Sequence, residues 1–515
     1  MRMNKENVTK QISFTLILSI VAMAINYMIS FVLTPYITTN MGAEAFGFVS
    51  LAKTIAKYGI IATGCLNAFA ARYITIAYHK DDIEKANTYF SSVVIANIGL
   101  LLITIIFEVF FIYKIQVFIK IPTNLVSDVK VLFALDITNY MLLALANTFT
   151  VSAYIKNKLG SVETNNVITY LTQVIVLIVL YKFLPIKVSY VGVGLIISTL
   201  VLFVLNIRLS KKYTPELKVK KEIFSWRAVK KLVLSGIWNS INSVGNLLNS
   251  GLDLWVSNLM LSALEMGNLS IVKTVSTILS SLEQLLSRPF QPYLLKKYSN
   301  GDSKGVAQIL NFEIMFSGYF SSMIFAGLIT FGSLYYKLWT PTQDSMLLYG
   351  ITVVTVVGFL FEGIVQPLFY TYTLTLKNRI PCYVTIGSGI LNVIGMYVLL
   401  KYTNLGLYAV VGTTTVLGFI TFMIFTPIYS AHCLGLKWNV FYLGIFRVLS
   451  AAVVITLVLK TLFMNFMPST WIGLIVSALC SCIIGVPIFM FIVLDKENRN
   501  LVINKLKKFG RVKSL

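Results

Sequence analysis

The chain of 515 residues is 57% hydrophobic and only 12% charged, with a mean hydropathy of +0.79, and these values exclude an ordinary soluble domain. The formal net charge of +23 would suit nucleic-acid binding, but the basic residues are concentrated in short loops between apolar segments. Only two histidines and five cysteines occur, with no CxxC pair, so a histidine or cysteine metal site is not expected. The composition predicts a polytopic membrane protein that binds no nucleic acid.

Apolar segments long enough to cross a bilayer recur along the whole chain. The first of them, 12–36, is too long for the apolar part of a signal peptide, so we expect it to remain as a span. The connections are short and leave no room for a soluble domain. The prediction is an all-α protein with 14 transmembrane helices, at 12–36, 45–70, 88–113, 130–155, 163–184, 190–208, 232–256, 266–290, 306–334, 346–374, 381–400, 406–429, 440–463 and 470–494.

Basic residues are distributed unevenly between alternate loops, which predicts the orientation in the membrane. With the N-terminus inside, 31 lysines and arginines lie on the cytoplasmic side and 8 on the outer side. Both termini are therefore expected in the cytoplasm. The four remaining cations, Lys53, Lys57, Lys273 and Arg447, fall inside predicted spans, where hydrocarbon disfavours a charge.

An internal repeat with an offset of 220 positions indicates a duplication. The stretch Gly47–Thr54 returns as Gly267–Thr274 with four of eight positions identical, and the same offset relates Asp82 to Asp302. Because each half holds six spans, both halves enter the membrane in the same direction. We predict two parallel six-helix lobes around a central cavity, followed by two C-terminal helices.

The predicted domains follow from this repeat and from the basic clusters. The expected boundaries are an N-terminal lobe at 1–210, a basic cytoplasmic linker at 211–231, a C-terminal lobe at 232–429, spans thirteen and fourteen within 430–494, and a basic cytoplasmic tail at 495–515. Both basic clusters are interpreted as contacts with the anionic inner leaflet of the bilayer.

Four spans carry polar side chains at helical spacing, which marks one face of each helix. Span seven holds Asn239, Asn242, Ser243, Asn246, Asn249, Ser250 and Asp253, span eight Ser270, Lys273, Thr274, Thr277, Ser281, Gln284 and Arg288, span one Ser19, Asn26 and Ser30, and span two Ser50, Lys53, Thr54 and Lys57. Hydrogen bonding between helices would explain the serines and threonines alone. Two lysines one turn apart should repel each other, and a bound anion would remove that repulsion. We therefore predict a water-filled cationic cavity lined by spans one, two, seven and eight, with structural ion pairing as the alternative.

Carboxylates also fall inside predicted spans: Glu108, Asp136, Asp253, Glu283, Glu313 and Glu362. Each could neutralise a lysine, bind a coupling cation or carry a proton. The candidates for ion coupling are Asp253, Glu283 and Glu362, together with Asp136. No phosphate-binding Gly-rich loop and no HExxH motif occurs, and the outer loops are short, so no catalytic residues and no enzyme activity are expected.

The chain resembles a known protein family. The predicted span pattern, the duplication and the segment Thr34-Pro35-Tyr36 followed by Met41-Gly42-Ala43-Glu44-Ala45-Phe46-Gly47 are similar to the polysaccharide flippases of the multidrug/oligosaccharidyl-lipid/polysaccharide exporter superfamily, and within it to the Wzx-type transporters. The resemblance implies alternating access and transport of an undecaprenyl-pyrophosphate-linked oligosaccharide across the bacterial cytoplasmic membrane. It further implies that Lys53 and Lys273 bind the diphosphate.

The remaining expectations complete this picture. Lys57, Arg72 and Arg288 are expected to attract the anion, and Asn26, Asn242, Asn246, Asn249 and Gln284 to contact the substrate. No cofactor is expected apart from a Na⁺ or H⁺ coupling ion, and the expected form is a monomer in the lipid bilayer that works beside a polysaccharide polymerase and glycosyltransferases. Two other functions stay open: a cation-coupled multidrug antiporter of the same superfamily, and a membrane-bound polymerase or glycosyltransferase.

Overall fold

The computed structural model describes residues 5–494 and residue 499, and in this part of the chain all regular structure is helical. The predicted all-α class is confirmed. The predicted basic tail, 495–515, lies outside the described residues except for Arg499. The α-helices are α1 (Lys5–Lys57), α2 (Gly59–Asn67), α3 (Ala70–His79), α4 (Ile83–Tyr113), α5 (Ile115–Phe118), α6 (Val126–Thr148), α7 (Val151–Ile155), α8 (Leu159–Phe183), α9 (Ser189–Tyr213), α10 (Trp226–Ser250), α11 (Asp253–Met260), α12 (Ala263–Ser287), α13 (Gln291–Ser299), α14 (Ser303–Trp339), α15 (Ser345–Val365), α16 (Phe369–Leu374), α17 (Arg379–Tyr402), α18 (Leu407–Phe419), α19 (Thr426–Cys433), α20 (Tyr442–Phe463) and α21 (Trp471–Val493).

Helix α1 contains the first predicted span and the beginning of the second, separated by a break at Gly42. The backbone of Gly42 has φ +87° and ψ 166°, a conformation that only glycine adopts without strain. The second predicted span continues through α2, after an interruption at Tyr58. The sequence therefore needs two helical segments to build this span.

Eleven helical segments in the described residues are long and apolar enough to cross a membrane, which makes the chain a multi-pass membrane protein. Predicted spans seven and eight correspond to α10 and α12, which are helical but are not among these eleven. In predicted span two, the continuous apolar helix ends at Lys57. Spans two, seven and eight are three of the four spans with polar stripes. The predicted count of 14 transmembrane helices therefore stays a prediction at these three spans.

The chain divides into two compact units. Unit 1 comprises Met1–Ile271 and Thr385–Val393, and unit 2 comprises Val272–Val384 and Ile394–Leu515. The division falls inside α12 and α17. The predicted domain boundaries at 211–231 and 430 stay predictions.

In unit 1, α6 packs against α4 and α9, α8 packs against α1 and α9, and α2 packs against α10. A buried apolar cluster that includes Leu66, Ile74, Phe90, Leu145 and Leu232 joins α2, α3, α4, α6 and α10. The hydrophobic contacts thus hold the second predicted span against the helices on either side of it.

In unit 2, α14 is the central helix, packed against α15, α20 and α21. Its buried cluster includes Leu310, Ile314, Leu360, Ile445 and Val448. The two C-terminal helices are therefore part of this unit's core.

The glycines that begin the two repeated stretches, Gly47 and Gly267, lie at the same helix crossing inside unit 1. A Cβ atom on Gly47 would lie 2.9 Å from the Cα atom of Gly267, and one on Gly267 would overlap the carbonyl of Ala43. Two glycines therefore let α1 and α12 approach more closely than any larger residue would permit.

The repeated aspartates also share a local structure. Asp82 caps α4 by accepting a hydrogen bond from the Lys85 amide at 3.1 Å, and Asp302 caps α14 by accepting one from the Gly305 amide at 2.7 Å. Their backbone angles are nearly the same, φ −86° with ψ 70° and 71°. The two positions 220 residues apart thus begin their helices in the same way.

Candidate functional site

The clearest charged constellation in unit 1 is formed by Lys53 on α1 and Asp136 on α6. Lys53 is half-buried, is attracted by the Asp136 carboxylate and is repelled by Lys57 one turn further along α1. Asp136 is only 2% exposed. Inside an apolar helical unit, such charges interact much more strongly than they would in water.

Asp136 is short of hydrogen-bond donors. Neither of its carboxylate oxygens accepts a hydrogen bond from any described residue. The facing position on α9 is Gly192, where a Cβ atom would lie 2.7 Å from the Leu135 Cβ and 3.4 Å from the Asp136 Oδ1. With no hydrogen bond to stabilise it, the buried carboxylate is affected mainly by the charge of Lys53, which does not come within salt-bridge distance of it, so structural ion pairing of these two residues stays a prediction.

The end of α1 meets the break between α10 and α11, where Asp253 begins α11. The Tyr58 hydroxyl donates a hydrogen bond to the Gly251 carbonyl at 3.3 Å, and Asp253 is 5% exposed. Lys57 is exposed. Lys57 at the end of α1 and Asp253 at the start of α11, two predicted site residues of unit 1, therefore lie at helix ends that the Tyr58 hydrogen bond connects.

The predicted amides differ in what they contact. Both polar atoms of the Asn249 side chain are hydrogen-bonded inside unit 1. The Nδ2 atom donates to the Gly245 and Thr385 carbonyls at 3.0 and 2.8 Å, and the Oδ1 atom accepts from the Ser388 hydroxyl at 3.0 Å. Its carbonyl also accepts from the Asn392 side chain at 2.7 Å. Asn249 therefore links α10 to α17, and substrate contact by this residue stays a prediction that would require these bonds to break.

The other amides of unit 1 are better placed to meet a ligand. Asn26 on α1 and Asn242 on α10 are half-buried, and Asn246 on α10 is exposed. Arg72 on α3 is exposed and lines a cavity of about 740 Å³ that only unit 1 residues surround. Of the predicted substrate-binding residues, Arg72 alone lines this cavity.

In unit 2, the predicted substrate-binding residues follow one another along and just past α12. Lys273 is half-buried, and its carbonyl accepts a hydrogen bond from the Thr277 hydroxyl at 2.8 Å. Gln284 and Arg288 are exposed. These three residues share the helical spacing that the sequence predicted, and their role in binding stays a prediction.

Two of the predicted coupling residues are neighbours in unit 2. Glu283 is 2% exposed and accepts a hydrogen bond from the Ser321 hydroxyl at 2.6 Å, and it is repelled electrostatically by Glu362 on α15. A Cβ atom on Gly363 would overlap the Glu283 carboxylate, so glycine makes this proximity possible. Two neighbouring carboxylates in an apolar core disfavour double ionisation, and binding of a proton or a cation would relieve that repulsion.

Within the described part of the chain, no group of three or more histidine, cysteine, aspartate or glutamate residues is arranged to hold a metal ion. Sequence reasoning also missed the polar wall of the cavity around Arg72, which includes Asn67, Tyr140, Asn147 and Tyr154. The last three lie on predicted span four at steps of seven residues, a helical pattern outside the four polar stripes.

The sequence is similar to known proteins. Residues 15–288 match the family described as polysaccharide biosynthesis protein. The chain is 27% identical over 496 residues to the uncharacterized membrane protein EpsK of Bacillus subtilis (strain 168), covering 95% of this chain and 97% of that relative.

The fold matches two kinds of solved transporter. It resembles the lipid II flippase MurJ in an inward closed conformation, with a TM-score of 0.67, 17% identity and coverage of 94% of this chain and 99% of that one. It also resembles an inward-facing multidrug resistance MATE family transporter of the MOP superfamily, with a TM-score of 0.64, 14% identity and coverage of 81% and 98%. The resemblance predicted from the sequence is confirmed at this level: the chain belongs to the polysaccharide biosynthesis protein family and has the fold of the MOP superfamily.

Proposed function

We propose that this protein is a flippase that carries an undecaprenyl-pyrophosphate-linked oligosaccharide repeat unit from the inner to the outer leaflet of the bacterial cytoplasmic membrane. The product would serve capsule, exopolysaccharide or O-antigen synthesis, and both termini would lie in the cytoplasm. The observation that carries the proposal is the half-buried Lys53, held inside a membrane-spanning unit of a polysaccharide biosynthesis family member. A cation in such a position is costly unless it serves an anion.

The placement of the cations on different helices fits a path with successive binding positions. Lys53 lies near the end of α1 and Arg72 on α3, with α2 and two helix breaks between them. In this mechanism Arg72 meets the anionic head first, and Lys53 takes it over deeper in the membrane, exchanging Asp136 for the phosphate.

Transport of this substrate has a favourable electrical component. Outward movement of negative charge runs with an inside-negative membrane potential and gains about 2.3 kcal/mol per elementary charge per 100 mV. A Na⁺ or H⁺ step at Glu283 and Glu362 would add a second source of coupling. The alternating access implied by the family resemblance would use either source.

The competing proposal is a cation-coupled multidrug antiporter, and the Glu283–Glu362 proximity is the observation that favours it. Such a protein would bind a cationic drug at the carboxylates, and it would not need Lys53. The two proposals therefore differ in the sign of the charge on the substrate.

Reconstitution in liposomes tests the proposal. The purified protein is expected to expose a fluorescent lipid-linked oligosaccharide to a reagent that cannot cross the bilayer, without changing the mass of the lipid. Lys53→Ala and Lys273→Ala are each expected to slow this movement at least tenfold, because the phosphate loses a cationic partner. Lys401→Ala, which changes an exposed lysine near the end of α17, is the matched control.

The same liposomes separate the alternatives. Movement of a cationic dye with no movement of the lipid-linked oligosaccharide would support the antiporter. A change in the mass of the lipid would indicate a transferase or polymerase.

A further inference from the structure

Unit 1 contains the cavity that Arg72 lines, and the proposed function assigns no role to its other lining residues. It lies between α2, α3, α6 and α7 and has a volume of about 740 Å³. This volume falls within the range of sites that bind small organic molecules. Its lining combines amides, hydroxyls and tyrosines with alanines and larger aliphatic residues, so it offers both hydrogen bonds and apolar surface.

One wall of the cavity is held by a buried amide. Asn97 on α4 is 3% exposed and donates hydrogen bonds to the Asn67 side chain at 2.9 Å and to the Thr148 hydroxyl at 3.1 Å. Asn67 donates a hydrogen bond back to the Asn97 Oδ1 atom at 3.2 Å. Asn67 and Thr148 line the cavity, and Asn97 lies behind them. The network fixes two polar groups before any ligand arrives, which lowers the entropic cost of binding.

Three larger polar side chains on α6 and α7 also line the cavity. They are Tyr140, Asn147 and Tyr154, at steps of seven residues. Asn147 and Tyr154 are exposed to it. A tyrosine ring presents an apolar face with a polar hydroxyl at its edge, which suits a ring that carries both C–H and O–H groups.

A single cation completes the site. Arg72 lines the cavity from α3, and within the described residues its guanidinium makes neither an ion pair nor a hydrogen bond. Arginine offers five donors in a planar fork that matches phosphate and carboxylate oxygens. The site therefore combines one anion-binding group with several neutral hydrogen-bonding groups.

From this combination we propose that the cavity is a saccharide subsite, in which Asn67, Asn147 and the tyrosines bind a sugar ring and Arg72 binds an acidic group attached to it. The inference rests on the proposed flippase function and adds the place where the glycan is recognised. The acidic group is either the diphosphate or a carboxylate on the sugar, and the chemistry of Arg72 is the same for both. Asn97 is a positioning residue, because it contacts the cavity only through Asn67 and Thr148.

The experiment compares two lipids in the same liposomes. One is the lipid-linked oligosaccharide extracted from the cells that make the protein, and the other is undecaprenyl diphosphate without sugar. Asn147→Ala and Tyr154→Ala are expected to weaken binding of the glycan-bearing lipid at least tenfold and to leave binding of the sugar-free lipid unchanged. Asn300→Ala, in an exposed turn, and Arg208→Ala, at an exposed position on α9, are the matched controls.

Arg72→Ala identifies the acidic group. Weaker binding of both lipids places the diphosphate at Arg72, whereas weaker binding of the glycan-bearing lipid alone places an acidic sugar there. Rescue by Arg72→Lys would show that charge is sufficient.

The controls separate the two levels of the proposal. If the wild-type protein neither binds nor moves the glycan-bearing lipid, the proposed function fails. If it does both and the Asn147, Tyr154 and Arg72 variants match their controls, only the saccharide subsite is overturned. Melting temperatures of every variant are measured in detergent, and Asn97→Ala serves as a second probe of the network, expected to weaken glycan binding without affecting the sugar-free lipid.

Discussion

Replacement of Lys53 by methionine gives the sharpest test of the charges inside unit 1. Methionine keeps the length and the apolar stem of lysine but removes the cation that faces Asp136. The carboxylate is then left 2% exposed, with no hydrogen bond from any described residue and without its electrostatic partner. The prediction is a loss of stability that a second substitution at Asp136 reverses.

The expected size follows from the burial of the two partners. Removing one partner of a fully buried ion pair costs about 3–5 kcal/mol, because the other charge stays uncompensated. Lys53 is only half-buried and is not within salt-bridge distance of Asp136, so we expect a loss below this range, about 1–2 kcal/mol, for Lys53→Met. In the double variant Lys53→Met/Asp136→Asn the carboxylate is absent as well, and the coupling free energy between the two substitutions should be about 0.5–2 kcal/mol.

The assay is equilibrium unfolding in mixed detergent micelles for the wild type, both single variants and the double variant. Lys401→Met is the control for the loss of a lysine at an exposed position. The reasoning is refuted if Lys53→Met is no less stable than Lys401→Met, or if the effects of the two substitutions simply add.

The same double variant decides between two roles for Lys53. If it is stable and still moves the lipid-linked oligosaccharide, Lys53 serves only structural ion pairing. If it is stable and inactive, Lys53 binds the anion.

Three further predictions concern packing, hydrogen bonding and pH. Gly267→Ala should cost about 1–3 kcal/mol because the new Cβ overlaps the Ala43 carbonyl, whereas Gly99→Ala, with open space around it, should not destabilise; equal melting temperatures would contradict the close crossing. Asn249→Ala should cost about 2 kcal/mol by removing three side-chain hydrogen bonds, against less than about 1 kcal/mol for Asn242→Ala on the same helix, as measured by unfolding in micelles. Hydrogen bonds from the Lys297 side chain and the Gly305 amide lower the pKa of Asp302, so its contribution to stability is complete above the ordinary aspartate pKa and disappears as the pH falls through the lowered value; the melting temperature of the wild type should therefore fall more than that of Asp302→Asn between pH 5 and pH 3.

The sequence predicted the helical class and most spans because an apolar segment longer than the bilayer can satisfy its backbone only as a helix. The exceptions have a physical reason. α10 and α12, predicted as spans seven and eight, are helical but less apolar than the eleven membrane-crossing segments, since their side chains include Asn242, Asn246, Lys273 and Gln284. The residues that made these spans candidates for a binding site are the same residues that lower their hydropathy.

The candidate site was less accessible to sequence reasoning, because its geometry depends on contacts between distant segments. The distribution of basic residues identified Lys53 as a cation inside a span, and Arg72 was expected to attract the anion, yet the sequence gave no indication that Lys53 is attracted by Asp136 or that Arg72 lines a cavity. The hydrogen bonds of Asn97 join residues 30 and 51 positions away. An amide in span three carries no sign of such partners until the helices pack.

The repeated eight-residue stretch contains both a packing residue, its glycine, and a candidate binding residue, its lysine. Its glycine and its lysine are six positions apart, and six steps of about 100° place them about 120° apart around the helix. On α1, Gly47 faces the crossing with Gly267, and Lys53 is therefore turned away from that crossing toward Asp136 on α6. The glycine crossing thus fixes the rotation of α1 about its axis, and with it the direction in which Lys53 points.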